Sequence, residues 1–338
     1  MILCVESKIL NALPLLGLLL TKRPVSSEKE QEMHGKPTFL VTGADLATPA
    51  LALLSDYNVV FAGKTPTEAD IVALCKAHDP VAVILRYSKI GAAAMDAAPS
   101  LKVISKHGSG TDTIDKVAAK ARGIAVVAAT GANAVAVAEH ALALLLACAK
   151  SIVPLNERMH AGFWDKATHK SIELEGKTIG IIGLGAIGLR FAKIVKAMGM
   201  NILGFDPYAN DLPDSICRTD LEAIWRESDV VSLHCPLSAE NRGMIDKKTL
   251  ASCKKGLILI NTARGGLIDE GALLDAIHSG QVAAAGLDSF CVEPMTTPHP
   301  FHSEPRIILS PHIGGVTTEA YIKMGVAAAR NALDILKK

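Results

Sequence analysis

A glycine-rich turn between a short β-rich run and a helical run constrains the fold of this chain more than any other feature. Residues 177–182 (KTIGII) read as a strand that leads directly into Gly183, Gly185 and Gly188, and the helix-like residues 189–200 follow. The first two glycines allow a tight turn and the close approach of a pyrophosphate, while the third lets the helix pack on the strand. A helix that starts there directs its N-terminal amides at phosphate. The sequence therefore predicts a phosphate-binding strand, turn and helix.

The next strand carries the signal for the type of nucleotide. Residues 201–205 (NILGF) read as that strand, and Asp206 follows Gly188 at close to the ~20-residue spacing expected of a carboxylate that binds the adenosine ribose hydroxyls. Ala186 and Ile187, inside the turn, complete the predicted cofactor contacts of this unit. The negative charge of Asp206 disfavours a 2′-phosphate, so the sequence predicts NAD rather than NADP.

The chain before this unit alternates short β-rich runs with helical stretches. From Lys36 onward the runs are TFLVTG (38–43), NVVFAG (58–63), VAVILRY (81–87), LKVISKHG (101–108) and IAVVAAT (124–130). The alternation of strands and helices predicts parallel βαβ units. Within the β-rich runs, apolar and polar residues do not alternate strictly, which is typical of strands that helices cover on both faces. The expected fold class is α/β, with two Rossmann-like domains that contain parallel sheets.

The late position of the glycine turn indicates that a further α/β domain precedes the cofactor domain. Residues 135–150 (VAVAEHALALLLACAK) are long and apolar enough to form a buried helix where the chain first crosses between domains. We expect a discontinuous substrate (catalytic) domain, residues 36–133 with 312–338, around an NAD-binding domain, residues 134–311. The chain then crosses between the two domains twice, and these two crossings form a hinge. We hypothesise that the domains close over the substrate and the cofactor.

Residues 1–35 are expected to be an appendage outside the fold. Residues 9–20 form a short apolar run behind Lys8, as in a signal-peptide core, but the run is too short to span a membrane and no small-x-small cleavage site follows it. We favour an appendage over a signal, with a natural start at Met33 as a further hypothesis, because strand-like sequence begins only at Thr38. The mass of the endogenous N-terminus decides between these alternatives.

Charge and cysteine usage limit the partners. The formal net charge is +1, with Lys and Arg scattered along the chain, so there is no electrostatic footprint for nucleic acid or an anionic membrane. The seven cysteines are isolated, with no CxxC pair and no metal-ligand spacing, which favours a reducing, cytoplasmic compartment. We expect small-molecule partners, no nucleic acid, no membrane association and no metal.

Several motifs after the glycine turn resemble, in order, those of the D-2-hydroxyacid dehydrogenase family. They are residues 234–237 (HCPL), 261–265 (NTARG), 286–288 (GLD), 293–294 (EP) and 310–315 (SPHIGG), and upstream residues 107–112 (HGSGTD) and 133–140 resemble the family's substrate loop and linker helix. Within the family, the chain resembles the D-3-phosphoglycerate dehydrogenase branch. The resemblance runs from near Thr38 to the C-terminus and implies an NAD-dependent oxidoreductase that acts on the CH-OH group of 2-hydroxy acids.

The chemistry of such a reaction also selects three residues directly. Reduction of a 2-keto acid needs an anion clamp, a hydride donor over the carbonyl carbon and a proton donor for the oxygen. Arg264 offers a planar fork that pairs with a carboxylate and polarises the neighbouring ketone. His312 titrates near the working pH, and Glu293, bonded to its other ring nitrogen, is expected to fix the tautomer and raise the pKa of His312. The resemblance assigns these three residues the same catalytic roles.

Other contacts are expected around this set. Ser109 and Gly110 lie in a glycine-flanked turn whose amides can form an anion nest for the substrate carboxylate, and the resemblance favours this interpretation over an ordinary Gly-Ser turn. The resemblance also implies that Asp288 accepts a hydrogen bond from the nicotinamide carboxamide. Pro236 and Thr262 are expected to contact the cofactor, whereas Cys235, Cys291, His107 and His234 receive no catalytic role.

Substrate identity and the class of function stay open at this point. Arg86 and Lys106 have two equally supported interpretations. Either they bind an extra anionic group on the substrate, or they are solvated basic residues on the surface. The chain ends soon after Lys337, so a C-terminal regulatory domain is not expected. The alternative function is an NAD-sensing, corepressor-like scaffold of the same fold, while a formate-dehydrogenase-like function lacks its Asn and Gln constellation. The resemblance further implies a homodimer formed through the cofactor domain.

Overall fold

A computed structural model describes residues 35–295 and 298–338. The predicted appendage, apart from Gly35, and its apolar run therefore lie outside the described residues. The first lobe surrounds a parallel sheet in the order β2-β1-β3-β4-β5. Its strands are β1 (Thr38–Val41), β2 (Asn58–Phe61), β3 (Ala82–Leu85), β4 (Val103–Lys106) and β5 (Ala125–Ala128).

Helices cover both faces of this sheet, which is why an apolar strand such as β3 is buried along its whole length. The helices between the strands are α1 (Thr48–Leu53), α2 (Glu68–His78), α3 (Ala92–Asp96) and α4 (Lys116–Ala121). All strand pairs run parallel with an unbroken register, for example Leu85 beside Lys106. Loops that leave the strands at their carboxyl ends therefore meet at one edge of the sheet.

The second lobe is built in the same way around a longer parallel sheet, in the order β12-β11-β10-β9-β6-β7-β8. Its strands are β6 (Thr178–Ile182), β7 (Asn201–Phe205), β8 (Ile216–Arg218), β9 (Val230–Leu233), β10 (Leu257–Asn261), β11 (Val282–Leu287) and β12 (Ile307–Leu309). Its helices are α5 (Ala134–Lys150), α6 (Ile152–His160), α7 (Ala186–Ala197), α8 (Leu221–Glu227), α9 (Lys247–Ser252) and α10 (Glu270–His278), with 3-10 turns at Gly265–Leu267 and Pro300–Ser303. The predicted α/β fold with two parallel sheets is confirmed.

The last helix, α11 (Thr318–Leu336), returns to the first lobe. It packs against the first sheet, where Ser105 Oγ donates to the carbonyl of Ala328 at 2.8 Å and Asn331 Nδ2 donates to the carbonyl of Ala128 at 2.9 Å. The first lobe is therefore assembled from two separate stretches of chain. No single described helix is both long and apolar enough to cross a membrane; α5 and α6 together reach that length and composition but bend by 62° at their junction.

Each sheet has one point where the strand order reverses, between β1 and β3 in the first and between β6 and β9 in the second. Open parallel sheets bind ligands outside the carboxyl ends of the strands at such points. The segments that leave these four strands begin with Thr42, Arg86, Gly183 and His234. Ligand sites are therefore expected around these four residues.

Candidate active site

The glycine turn packs so closely that two of its glycines cannot be replaced without a shift. Gly183 has a φ of 93°, and a Cβ there would lie 2.6 Å from the backbone nitrogen of Cys235. A Cβ on Gly188 would lie 2.0 Å from the carbonyl oxygen of Gly183. At Gly185, by contrast, an added Cβ meets no described atom within 4 Å. The turn is thus tight on its protein side and open on the other side.

Helix α7 begins at this open side. Gly185 is its N-cap residue and supplies no side chain to the free amides of the first turn, which includes Ala186 and Ile187. Because these amides and the helix dipole attract negative charge, the geometry fits a pyrophosphate.

Asp206 stands at the carboxyl end of β7, next to the turn. One carboxylate oxygen accepts from the amide of Leu184 and the other from the amide of Tyr208, both at 2.8 Å. Each oxygen keeps a further lone pair, so the half-buried carboxylate is fixed in place and can still accept from two vicinal hydroxyls.

Thr262 and Pro236 follow β10 and β9 at the same edge. The carbonyl of Pro236 accepts from Asn241 Nδ2 at 2.8 Å, which orders that loop. Thr262 Oγ1 is buried without a hydrogen-bond partner among the described residues. Because buried hydroxyls nearly always have a partner, this atom is suited to a ligand. The residues predicted to hold NAD therefore fit a dinucleotide.

His312 and Glu293 form the predicted pair. His312 Nδ1 lies 2.7 Å from Glu293 Oε2, and Glu293 Oε1 accepts from the amide of Phe290 at 2.9 Å. The bond with Glu293 raises the pKa of His312, an effect opposed by burial and by the charge of Arg264. Burial alone would raise the pKa of Glu293, but the bonds from His312 and Phe290 together hold it below its ordinary value.

Asp288 anchors the loop that carries His312. Its carboxylate accepts from Ser310 Oγ at 2.6 Å, from the amide of Ile313 at 2.9 Å and from the amide of Gly314 at 2.8 Å. His312 has a φ of 54°, an uncommon conformation for a residue with a side chain. The buried Asp288 therefore stabilises the turn that points His312 towards Glu293. Its predicted contact with the nicotinamide stays a prediction.

Arg264 reaches from the second lobe to the first. Its Nε donates to Asp112 Oδ2 at 2.9 Å, its Nη2 forms an ion pair with the same oxygen at 2.8 Å, and its Nη1 donates to the carbonyl of Ala263 at 2.7 Å. The guanidinium lies directly on Gly110, where a Cβ would come within 1.8 Å of Nη2. The predicted anion clamp and the predicted substrate loop are thus in contact, and the neighbouring Ser109 Oγ lies 3.3 Å from Asn133 Oδ1.

Comparison with known proteins identifies the family. Residues 142–314 match the family described as "D-isomer specific 2-hydroxyacid dehydrogenase, NAD binding domain". The chain belongs to this family. The predicted resemblance is therefore confirmed, and the lobe that contains the glycine turn is an NAD-binding domain.

The relatives of this chain carry several names. A hydroxypyruvate reductase of Thermotoga maritima is 42% identical over 248 residues, which are 73% of this chain and 81% of that protein. A D-3-phosphoglycerate dehydrogenase of Archaeoglobus fulgidus is 38% identical over 258 residues, 75% of this chain and 49% of that protein. The solved structure of a glyoxylate reductase from Paecilomyes thermophila has a TM-score of 0.81 at 31% identity, and the match covers 90% of this chain and 96% of that one. The chain spans about half the length of the D-3-phosphoglycerate dehydrogenases that it matches.

The other histidines and cysteines near these residues have a different character. Burial lowers the pKa of His234 to about 4, and its Nε2 lies 2.9 Å from Ser232 Oγ, as expected of a neutral core residue. Burial raises the thiol pKa of Cys235 to about 11, and partial burial together with the charge of Glu270 raises that of Cys291 to about 11, so neither is a thiolate near neutral pH. Among the described residues, no group of three or more His, Cys, Asp or Glu side chains is arranged to hold a metal ion.

Two carboxylates that pair with arginines of the candidate site and its surroundings were not identified from the sequence, Asp112 and Asp45. Asp112 binds Arg264 across 152 residues of chain, and Asp45 binds Arg86. Both stand on loops at the carboxyl ends of strands in the first sheet, which is the signal that could have found them.

Proposed function

We propose that this chain catalyses the reversible, NAD-dependent interconversion of a 2-keto acid and a D-2-hydroxy acid. One observation carries the proposal: Arg264, Glu293 and His312 follow the neighbouring parallel strands β10, β11 and β12, so they meet at one edge of the second sheet, where they interact electrostatically. An anion clamp and a proton donor next to a nicotinamide site are what this reaction needs.

In the direction of reduction, Arg264 pairs with the substrate carboxylate. Its Nη1 and Nη2 each keep one hydrogen beyond the bonds to Ala263 and Asp112, and these two hydrogens form the fork. NADH held by the glycine turn and Asp206 would supply the hydride that C2 of the keto acid accepts. His312 donates its Nε2 proton to the carbonyl oxygen, because Nδ1 is held by Glu293. In the direction of oxidation, neutral His312 removes the hydroxyl proton.

The relatives suggest the substrate class. Their names include a hydroxypyruvate reductase, D-3-phosphoglycerate dehydrogenases and a glyoxylate reductase. We infer that the substrate is a short 2-keto acid. The test is NADH consumption with a panel of glyoxylate, hydroxypyruvate, phenylpyruvate and 2-oxoglutarate. Reduction of a member of the panel supports the proposal, whereas NADH binding without reduction of any member favours the scaffold alternative.

The pH profile should depend on Glu293. In Glu293→Gln the bond and the charge that raise the pKa of His312 are lost. Reduction needs protonated His312, so activity is present below that pKa and declines as the pH rises through it. We expect the alkaline limb of kcat/KM for reduction to move to lower pH, and the acid limb for oxidation to move in the same direction.

The measurement is the pH dependence of kcat/KM in both directions. Glu222→Gln, on the exposed first turn of α8, is the matched control and should leave both limbs in place. If the pH limbs of kcat/KM lay at the same pH in Glu293→Gln and in the wild type, Glu293 would not be the group that raises the pKa of His312.

We further propose that residues 36–133 and 312–338 form the substrate domain and that residues 134–311 form the NAD-binding domain. The return of α11 to the first sheet supports this division. We propose a cytoplasmic enzyme, supported by the six cysteines of residues 35–295, which are free.

We propose that the enzyme is a homodimer, because α6 and the turn after it expose a large apolar surface. Its members are Ile152, Val153, Met159, Phe163 and Trp164, of which Trp164 is 74% exposed. Exposed apolar side chains grouped in one short segment are typical of protein interfaces, and a tryptophan at the centre of an interface is a typical anchor.

Trp164→Glu is expected to weaken dimerisation by about 30-fold or more, the loss typical of an interface anchor. Sedimentation equilibrium measures the dissociation constant, with Val117→Glu, an equally exposed apolar residue on α4, as the control. A monomeric wild type, or an unchanged dimer in Trp164→Glu, would contradict this interface.

A further inference from the structure

A second charged cluster lies at the strand reversal of the first sheet, beyond the residues assigned to catalysis. Arg86 leaves β3 and folds back over the loop that follows β1, where its guanidinium forms an ion pair with Asp45. The Arg86 side chain is only 11% exposed, whereas that of Asp45 is 69% exposed. The carboxylate, and not the guanidinium, is therefore the charge that this cluster presents to solvent.

Two tyrosine rings hold the ion pair in place. The Arg86 guanidinium lies 5.2 Å from the ring centroid of Tyr87 and 5.0 Å from that of Tyr321. The Tyr321 hydroxyl also donates to Asp45 Oδ1 at 3.0 Å. The bonds from Arg86 and Tyr321 hold the pKa of Asp45 below its ordinary value, so the carboxylate stays charged at neutral pH. The two tyrosine rings thus cover the Arg86 guanidinium, and the Asp45 carboxylate neutralises its charge.

The cluster is continuous with the catalytic cleft. Lys106, at the end of the neighbouring strand β4, donates from Nζ to the carbonyl of Arg86 at 3.0 Å and interacts electrostatically with Arg264 and Asp112. His107 follows, with its ring centroid 5.6 Å from that of Tyr321. A substrate whose carboxylate is bound by Arg264 would therefore direct its substituent at C3 towards this cluster.

The charges of this cleft are nearly balanced before a substrate enters. Each of three positive groups forms an ion pair with a carboxylate. The pairs are Arg86 with Asp45, Arg264 with Asp112, and protonated His312 with Glu293. The half-buried Lys106 remains, and its charge offsets that of one substrate carboxylate. Once Lys106 offsets the substrate carboxylate, no unpaired cation is left among the described residues of the cluster to meet a phosphate on the substituent. That phosphate would also approach the exposed Asp45.

The cluster instead offers uncharged and accepting groups. His107 is buried and its Nε2 has no hydrogen-bond partner among the described residues. Burial lowers the pKa of His107 to about 4, so the ring is neutral at working pH. A neutral imidazole and a carboxylate both bond well to a hydroxyl.

We propose that Asp45 neutralises Arg86 and so makes this subsite select 2-keto acids with an uncharged hydrogen or hydroxyl substituent, such as hydroxypyruvate, over their phosphate esters. This specificity rests on the proposed 2-keto acid reductase function. Asp45 is the specificity-determining residue, and Tyr321 positions it.

The experiment compares hydroxypyruvate with 3-phosphohydroxypyruvate in the wild type and in Asp45→Asn. We expect the wild type to favour hydroxypyruvate in kcat/KM by at least about tenfold, because like charges in a cleft oppose binding. Asp45→Asn frees the Arg86 charge and should lower this preference by about tenfold or more, the contribution of a charge-assisted bond. The double variant Asp45→Asn/Arg86→Gln removes both charges and should restore part of the preference.

Asp96→Asn is the matched control, because Asp96 also pairs with an arginine of the first lobe, Arg122, but at the opposite edge of the sheet. Calorimetric binding of D-glycerate and 3-phospho-D-glycerate is measured in parallel, so the subsite is tested even without turnover. A wild type that prefers the phosphorylated acids, or a preference that changes equally in Asp45→Asn and Asp96→Asn, would overturn the proposal. Selective binding without turnover would support the subsite and contradict only the proposed reaction.

Discussion

His312→Ala should lower kcat for reduction of the 2-keto acid by about 10²–10⁴-fold, the usual contribution of a positioned general acid. The alanine variant has no group at the carbonyl oxygen that can supply a proton, and Glu293 is held back by the amide of Phe290. The affinity for NADH should stay close to that of the wild type, because the glycine turn and Asp206 do not contact His312. Steady-state kinetics and NADH fluorescence titration measure the two quantities.

The control for this variant is His278→Ala. His278 ends α10 and lies 3.4 Å from Glu304 on the protein surface, so its removal should leave kcat unchanged. A His312→Ala enzyme that keeps most of the wild-type kcat would show that another group, or water, donates the proton.

Arg264→Lys is expected to lower kcat/KM by about 10²–10³-fold, because charge-assisted hydrogen bonds contribute roughly 1.5–3 kcal/mol each. The guanidinium has enough donors to bind Asp112, Ala263 and a carboxylate together. A lysine ammonium is a point charge with three donors and no fork, so it cannot hold Asp112 and the substrate in the same geometry. Much of the loss should be seen in KM, since the carboxylate is bound before the reaction.

Arg122→Lys is the matched control, since Arg122 also forms a forked pair with an aspartate, Asp96, but far from the cleft. It should keep the wild-type kcat/KM. If Arg264→Lys retained the wild-type KM for a keto acid, the anion clamp would have to be another group.

The sequence predicted the parts of the structure that depend on local pattern. The glycine turn could be placed because a tight turn, a closely packed helix and a following acidic residue require glycines and an aspartate at specific positions in the sequence. The structure shows why Gly183 and Gly188 accept no side chain. The long apolar run was predicted as a helix over 135–150 and is the helix Ala134–Lys150. The short strands Ile216–Arg218 and Ile307–Leu309 carry too few residues for a periodic signal, and they were not predicted.

The contact between His312 and Glu293 was also predicted, because loops after parallel strands converge at one edge of a sheet. Pairings between the lobes could not be predicted in this way. Arg264 finds Asp112 only when the two lobes dock, and no local pattern encodes that docking. For the same reason Arg86 was read as either a substrate ligand or a solvated residue, while the structure shows it paired with Asp45 and covered by tyrosine rings.

The most direct test of the reaction follows the hydride itself. The enzyme is incubated with a 2-keto acid and NADH that carries deuterium on one face of nicotinamide C4, and each face is labelled in turn. The product is examined by mass spectrometry and chiral chromatography. One of the two labels is expected at C2 of the product, and the product is expected to be the D-2-hydroxy acid. Bound NADH that transfers neither label to any acid of the panel would contradict the proposed reaction.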